Sequence, residues 1–218
     1  MSHPGLVIFD CDGVLVDSEP IGNRVLAQSL AAAGVAMSLD DVEAAFRGLS
    51  MTSVVNLVER ERGVRLGSDF LSGYQERLFV ALRHGVRAMD GVAVTLAGLA
   101  LPCCVASSGE LEKMRLTLGL TGLLPAFAGN LFSAVQVRHG KPAPDLFLLA
   151  AHRMQTPPDR CVVVEDSLAG VMAGHAAGMT VYGYAPSAGP NQGHLDRLVA
   201  AGAKPLQDMC QLPGYIMV

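Results

Sequence analysis

The chain has 218 residues, half of them hydrophobic and 17% charged, with a formal net charge of −4. That supplies enough apolar surface for one large domain, or for a domain carrying a sizeable insertion, and it excludes intrinsic disorder. With no long basic stretch, no Trp and only 5% aromatic residues, nucleic acid and anionic membranes are poor partners.

The N-terminal segment MSHPGLVIFD has no basic region and meets Asp10 after four apolar residues. It reads as a strand, not as a signal peptide. Further unbroken apolar runs of strand length follow: Cys103–Ser107, Leu131–Ala134, Cys161–Glu165 and Thr180–Tyr184. Continuous rather than alternating hydrophobicity predicts strands buried on both faces, as in a parallel sheet covered by helices. Helical spacing recurs between them, at Leu146, Leu149 and Ala150 and at Leu168, Val171 and Met172. The pattern predicts an α/β fold with a doubly wound parallel sheet.

Residues 18–87 contain no convincing strand. Met51, Val54, Val55 and Val58 recur at i, i+3, i+4 and i+7, and Gly34, Gly48, Gly63 and Gly67 punctuate the segment. About four helices are expected, inserted after the first strand, so that residues 1–17 and 88–218 form the core domain. Gly91–Gly109 is uncharged and long enough to suggest a membrane span, but Pro102 divides it. A helix near 92–100 followed by a buried strand explains it better. On that helical stretch after the fourth strand, Gly170, Gly174 and Gly178 recur every four residues and suggest close packing on the sheet. Five irregularly spaced cysteines, Cys11, Cys103, Cys104, Cys161 and Cys210, are expected to be buried, reduced thiols of a cytoplasmic protein.

Polar residues recur where α/β sheets bind ligands, at the carboxyl ends of strands. Asp10-Cys11-Asp12-Gly13 follows the first strand, and Ser107-Ser108-Gly109 ends the second. Gly140-Lys141-Pro142 follows the third, and Glu165-Asp166-Ser167 ends the fourth. Four converging carboxylates cannot all ionise without compensation. An all-oxygen set suits a hard cation, most simply Mg²⁺, with Asp10, Asp12, Glu165 and Asp166 as candidate ligands. Ser107 and Lys141 then supply a donor and a charge for phosphate oxygens. The six histidines form no HxH or HxxxH pair, and neither a GxGxxG nor a Walker A motif is present.

The segments FDCDGVLVDSE, VASSG, GKPAPD and VVVEDSLAGVMAGHAAGM, in this order, resemble the four motifs of the haloacid dehalogenase-like phosphohydrolases. The branch they resemble most is that of sugar phosphatases and β-phosphoglucomutases. The resemblance covers Leu6 to about Leu206 and implies that residues 18–87 are a cap domain. It implies that Asp10 is a nucleophile passing through an aspartyl phosphate, with Asp12 as acid and base. Asp10, the Asp12 carbonyl, Asp166 and Glu165 would hold Mg²⁺. Ser107, Ser108 and Lys141 would bind the phosphoryl group of a small phosphate ester, and Arg47 of the cap would contact the leaving group. β-Phosphoglucomutase is the alternative activity. Such mutases carry a His where this chain has Gly22 and an Arg where it has Met51, which favours hydrolysis. Receiver domains, which are switches and not enzymes, also gather acids, a hydroxyl and a Lys at strand ends. Their acidic pair precedes the acceptor Asp, whereas Glu165-Asp166 comes last here.

Overall fold

The computed structural model describes residues 3–46, 49, 51–127, 129–186 and 192–216. The expected cap contact Arg47, with Gly48 and Ser50, lies outside them. The chain forms two compact units, Met1–Asp17 with Arg87–Val218, and Ser18–Val86.

The larger unit opens with β1 (Leu6–Phe9), whose four residues are all buried. Among the described residues the smaller unit follows as four helices: α1 (Glu19–Ala32), α2 (Leu39–Phe46), α3 (Met51–Arg62) and α4 (Gly67–Gly85). Its apolar centre includes Leu26, Leu30, Val42, Phe46, Val54 and Val58, with Met51 and Val55 packed at its margin. The i, i+3, i+4, i+7 stripe of α3 thus faces inward. Arg77 of α4 donates from Nε and Nη2 to Ser29 Oγ of α1, at 3.3 and 3.1 Å.

The chain re-enters the larger unit beside its point of departure. The Asp17 N–H donates to the Arg87 carbonyl at 2.9 Å, and Val16 forms an antiparallel bridge with Ala88. There follow α5 (Val92–Gly98), β2 (Cys103–Ser107), α6 (Leu111–Leu120), β3 (Leu131–Ser133), α7 (Asp145–Arg153) and β4 (Cys161–Glu165). The unit continues with α8 (Leu168–Ala176), β5 (Thr180–Tyr184), α9 (Gln192–Ala200), β6 (Lys204–Leu206) and α10 (Leu212–Ile216). The six strands form one parallel sheet in the order β3-β2-β1-β4-β5-β6. The expected doubly wound α/β architecture, with helices inserted after the first strand, is therefore present.

Gly91–Gly109 resolves into α5 and β2, and among the described residues no helix is long and apolar enough to cross a membrane. The third strand stops at Ser133, because Ser133 caps a 3-10 turn with Gln136 and Ala134 begins that turn. Strand β6 was not anticipated: three residues, Lys-Pro-Leu, carry no periodic signal, and Pro is tolerated there because the strand lies at the sheet edge. All five cysteines are free thiols, and Cys11, Cys104 and Cys161 are buried. Cys103 is only half-buried and Cys210 is exposed, which corrects the expectation that all five are interior.

Candidate active site

Strand β1 lies between β2 and β4, and the strand order reverses there. The crevice beyond its carboxyl end is where such sheets bind ligands. Asp10, one residue past β1, is buried, and its N–H donates to the Val164 carbonyl of β4 at 2.9 Å. Register thus sets Asp10 level with Glu165, the last residue of β4.

Lys141 joins the two. Its Nζ donates to Asp10 Oδ1 at 2.6 Å, to Glu165 Oε1 at 2.6 Å and to the Ala106 carbonyl at 2.9 Å. These three acceptors match the three N–H bonds of an ammonium. The side chain is 3% exposed, and its Nζ lies 4.8 Å from the centre of the Phe147 ring. Burial works against the Lys141 charge, but Asp10 and Glu165 outweigh it and push its pKa up. Burial also pushes Asp10 up, to about 7, with Lys141 opposing and Glu165 reinforcing the rise. The second Glu165 oxygen, Oε2, accepts from Ser167 N and Ser167 Oγ, each at 2.9 Å. Gly170 makes room for this carboxylate, since a Cβ there would overlap it. Ser167 Oγ in turn accepts from Gly170 N at 3.0 Å and caps α8. Of the three spaced glycines, Gly174 sits against Val181 of β5, whereas Gly178 takes φ +75° and has open space around it.

Asp12 lies on the solvent side. Its Oδ1 pairs with Lys113 Nζ of α6 at 2.8 Å, and both side chains are 23% exposed. Ser107 is buried, and its Oγ accepts from Gly109 N at 3.1 Å. Ser133 Oγ of β3 donates to the Gly109 carbonyl at 2.6 Å, so the loop after β2 is fixed from two sides. Ser108 is exposed beside it. Asp166 packs its carboxylate against Gly13, whose φ of +81° and missing Cβ both require glycine. The Asp166 carbonyl pairs with His194 Nε2 of α9 at 2.5 Å. A carbonyl only accepts, so this nitrogen carries the proton.

The expected core residues Asp10, Asp12, Ser107, Ser108, Lys141, Glu165 and Asp166 thus lie at the ends of neighbouring strands or on the loops that follow them, at one end of the sheet. Two participants were not foreseen. Lys113 sits in the first turn of α6, where the helix dipole disfavours a cation; that misplacement was a readable sign of a nearby anion. His194 had no such sign, because its partner is 28 residues away in sequence.

The haloacid dehalogenase-like hydrolase family matches residues 4–178. The chain belongs to this family. It is a haloacid dehalogenase-like phosphohydrolase of the sugar-phosphatase branch with an inserted helical cap. It is 32% identical to the 6-phosphogluconate phosphatase of Escherichia coli over 183 residues, covering 84% of this chain and 83% of that one. Hexitol phosphatase A of the same organism is 31% identical over 195 residues, 87% of each chain. Among solved structures, a haloacid dehalogenase-like protein from Agrobacterium tumefaciens is 37% identical and superposes with a TM-score of 0.83 over 98% of this chain and 97% of that one. A family hydrolase from Deinococcus radiodurans, solved with bound phosphate and sodium, is 32% identical with a TM-score of 0.78, covering 99% and 96%.

Proposed function

We propose that this phosphohydrolase is a Mg²⁺-dependent phosphatase of sugar or sugar-acid phosphates that works through an aspartyl phosphate on Asp10. The observation that carries the reading is the buried bridge Asp10–Lys141–Glu165 at the sheet's switch point.

The donor set fits a hard divalent cation. Among the described residues no group of three or more acidic, His or Cys side chains is placed to hold a metal ion, but Mg²⁺ does not need so many. It is commonly held by one or two carboxylates and keeps positions for water and substrate phosphate. Asp10 and Asp166, with the Asp12 carbonyl, would hold the ion in this reading. Burial pushes the Asp10 carboxyl up, and a divalent cation beside it would favour the ionised form. Glu165, expected among the ligands, has Oε1 on Lys141 and Oε2 on Ser167. We therefore assign it to holding Lys141. When bound, Mg²⁺ would neutralise the phosphoryl oxygens and align them for in-line attack.

The chain's own groups do the rest. Lys141 fixes the Asp10 carboxylate, one oxygen of which attacks phosphorus while the bond to the ester oxygen breaks. Asp12 protonates the departing alcohol. In the second step Asp12 takes a proton from water, whose oxygen attacks phosphorus. The bond between phosphorus and Asp10 then breaks, releasing phosphate and restoring the carboxylate. Ser107 Oγ and the amides of the loop it anchors are the donors for the phosphoryl oxygens. The Deinococcus radiodurans relative was solved with bound phosphate and sodium, which supports a phosphate ligand for this chain.

The test is direct. Asp10→Asn should lose at least ~10³-fold in turnover, about 4 kcal/mol of transition-state stabilisation. Asp12→Asn, given p-nitrophenyl phosphate, should accumulate a phosphoryl group on the peptide containing Asp10. A label found elsewhere, or ordinary turnover by Asp10→Asn, refutes the assignment.

A further inference from the structure

We propose that Ser133 is a positioning residue for phosphoryl binding, holding Ser107 as a donor through the backbone of Gly109. This rests on the phosphatase reading above, in which Ser107 Oγ donates to the phosphoryl group, and it adds a residue of β3 that touches no substrate.

Strand register creates the device. Ser107 ends β2, Ser133 ends β3, and the two are direct partners in the parallel ladder. Side chains at paired positions point to the same face of a sheet, so the two hydroxyls lie side by side. Both residues are enclosed, Ser107 at 1% and Ser133 at 0% exposure. They grip one residue, Gly109, at its two backbone groups. Ser107 Oγ accepts from the Gly109 N–H at 3.1 Å, and Ser133 Oγ donates to the Gly109 carbonyl at 2.6 Å. A Cβ at Gly109 would lie 3.4 Å from Asp12 Oδ2 and 3.5 Å from Ser107 Oγ, so the gripped backbone also borders the acid–base residue.

Chemistry fixes the direction of each bond. A carbonyl only accepts, so the Ser133 hydrogen lies on Gly109. The turn after β3 sets the Ser133 side chain for this, because its Oγ also accepts from Val135 N at 3.4 Å and its N–H donates to Gln136 Oε1 at 2.7 Å. A backbone N–H only donates, so Ser107 Oγ meets Gly109 with a lone pair. The Ser107 hydrogen goes to no acceptor among the described residues, although the residue is buried. That hydrogen is the one a phosphoryl oxygen takes. Without Ser133 the Gly109 peptide can rotate, its N–H leaves Ser107 Oγ, and the Ser107 hydroxyl loses its fixed direction.

Ser133 also caps the turn after β3, and Gln136→Ala weakens that cap while leaving the bond to Gly109. Two constants are measured, kcat/KM for p-nitrophenyl phosphate and the inhibition constant of inorganic phosphate, with thermal unfolding as the check on folding. The proteins are the wild type, Ser133→Ala, Ser133→Cys, Gln136→Ala, Ser107→Ala and Ser107→Ala/Ser133→Ala. Ser133→Ala should lower kcat/KM and raise the inhibition constant, each by ~3–10-fold, the scale of one neutral hydrogen bond. Ser133→Cys, close in shape but a weaker donor, should lose less in both and carries the test if Ser133→Ala does not fold. Gln136→Ala should lower Tm and leave both constants near those of the wild type. In the Ser107→Ala background, Ser133→Ala should change either constant by less than ~2-fold, because the group it positions is gone. Equal kinetic losses in Ser133→Ala and Gln136→Ala, or a full Ser133→Ala loss in the absence of Ser107, overturn the inference while leaving the phosphatase reading intact. A wild type that releases no phosphate from p-nitrophenyl phosphate overturns the phosphatase reading itself.

Discussion

Replacing Lys141 by Met keeps an unbranched side chain, one atom shorter, and removes the charge between two carboxylates. Glu165 is 1% exposed and Asp10 9% at the side chain, so neither can be rehydrated without opening the sheet end. Removing one partner of a buried ionic pair costs ~3–5 kcal/mol. Asp10 takes up a proton readily, since burial pushes it to about 7, and Glu165 keeps its bonds from Ser167. Both effects put the loss near the lower figure, about 3 kcal/mol. In a chain of this size each kcal/mol moves Tm by about 2–4 °C, so Lys141→Met should unfold ~6–12 °C lower. Adding Glu165→Gln removes the stranded charge and leaves an amide oxygen for Ser167. Lys141→Met/Glu165→Gln should therefore regain more than half of that Tm loss, while turnover of p-nitrophenyl phosphate stays down ~10²-fold or more, as expected when an electrostatic stabiliser is lost. Thermal unfolding by circular dichroism and phosphate release read the two effects separately. A double variant no more stable than the single one refutes the reasoning that an uncompensated charge causes the loss. Wild-type turnover in either refutes the catalytic part.

Chelation by EDTA should abolish activity, Mg²⁺ should restore it and Ca²⁺ should not, because Ca²⁺ prefers more ligands and looser geometry; full turnover in metal-free buffer would contradict this. Gly13→Ala should cost ~1–3 kcal/mol and weaken Mg²⁺ activation, because φ is +81° there and the new Cβ would meet the Asp166 carboxylate; chemical denaturation and Mg²⁺ titration report the two effects. His194→Phe should raise the Mg²⁺ concentration for half-activation by ~3–10-fold, since the Asp166 carbonyl loses its donor and such a loss costs about 1 kcal/mol. An unchanged midpoint would show that α9 does not steady the Asp166 loop.

What was legible in the sequence was whatever local pattern encodes. Unbroken apolar runs announced strands buried on both faces, and β1 and β4 are buried throughout. Polar clusters at the ends of those runs marked the candidate site, because a parallel sheet delivers all its carboxyl ends to one edge. The stripe on α3 and the lack of a convincing strand pattern in residues 18–87 announced an inserted helical unit. The partners within the site were decided by tertiary structure alone. Lys141 reads in sequence as a phosphate ligand, but 131 residues of chain separate it from Asp10, and only the fold shows that it joins Asp10 to Glu165. Lys113 meets Asp12 across 101 residues and His194 meets Asp166 across 28. Such pairings depend on strand order and register, which bring distant segments side by side without leaving a periodic trace. Edge strand β6 escaped for the same reason, since Lys204–Leu206 is a strand only because Tyr182–Tyr184 lies beside it to pair with.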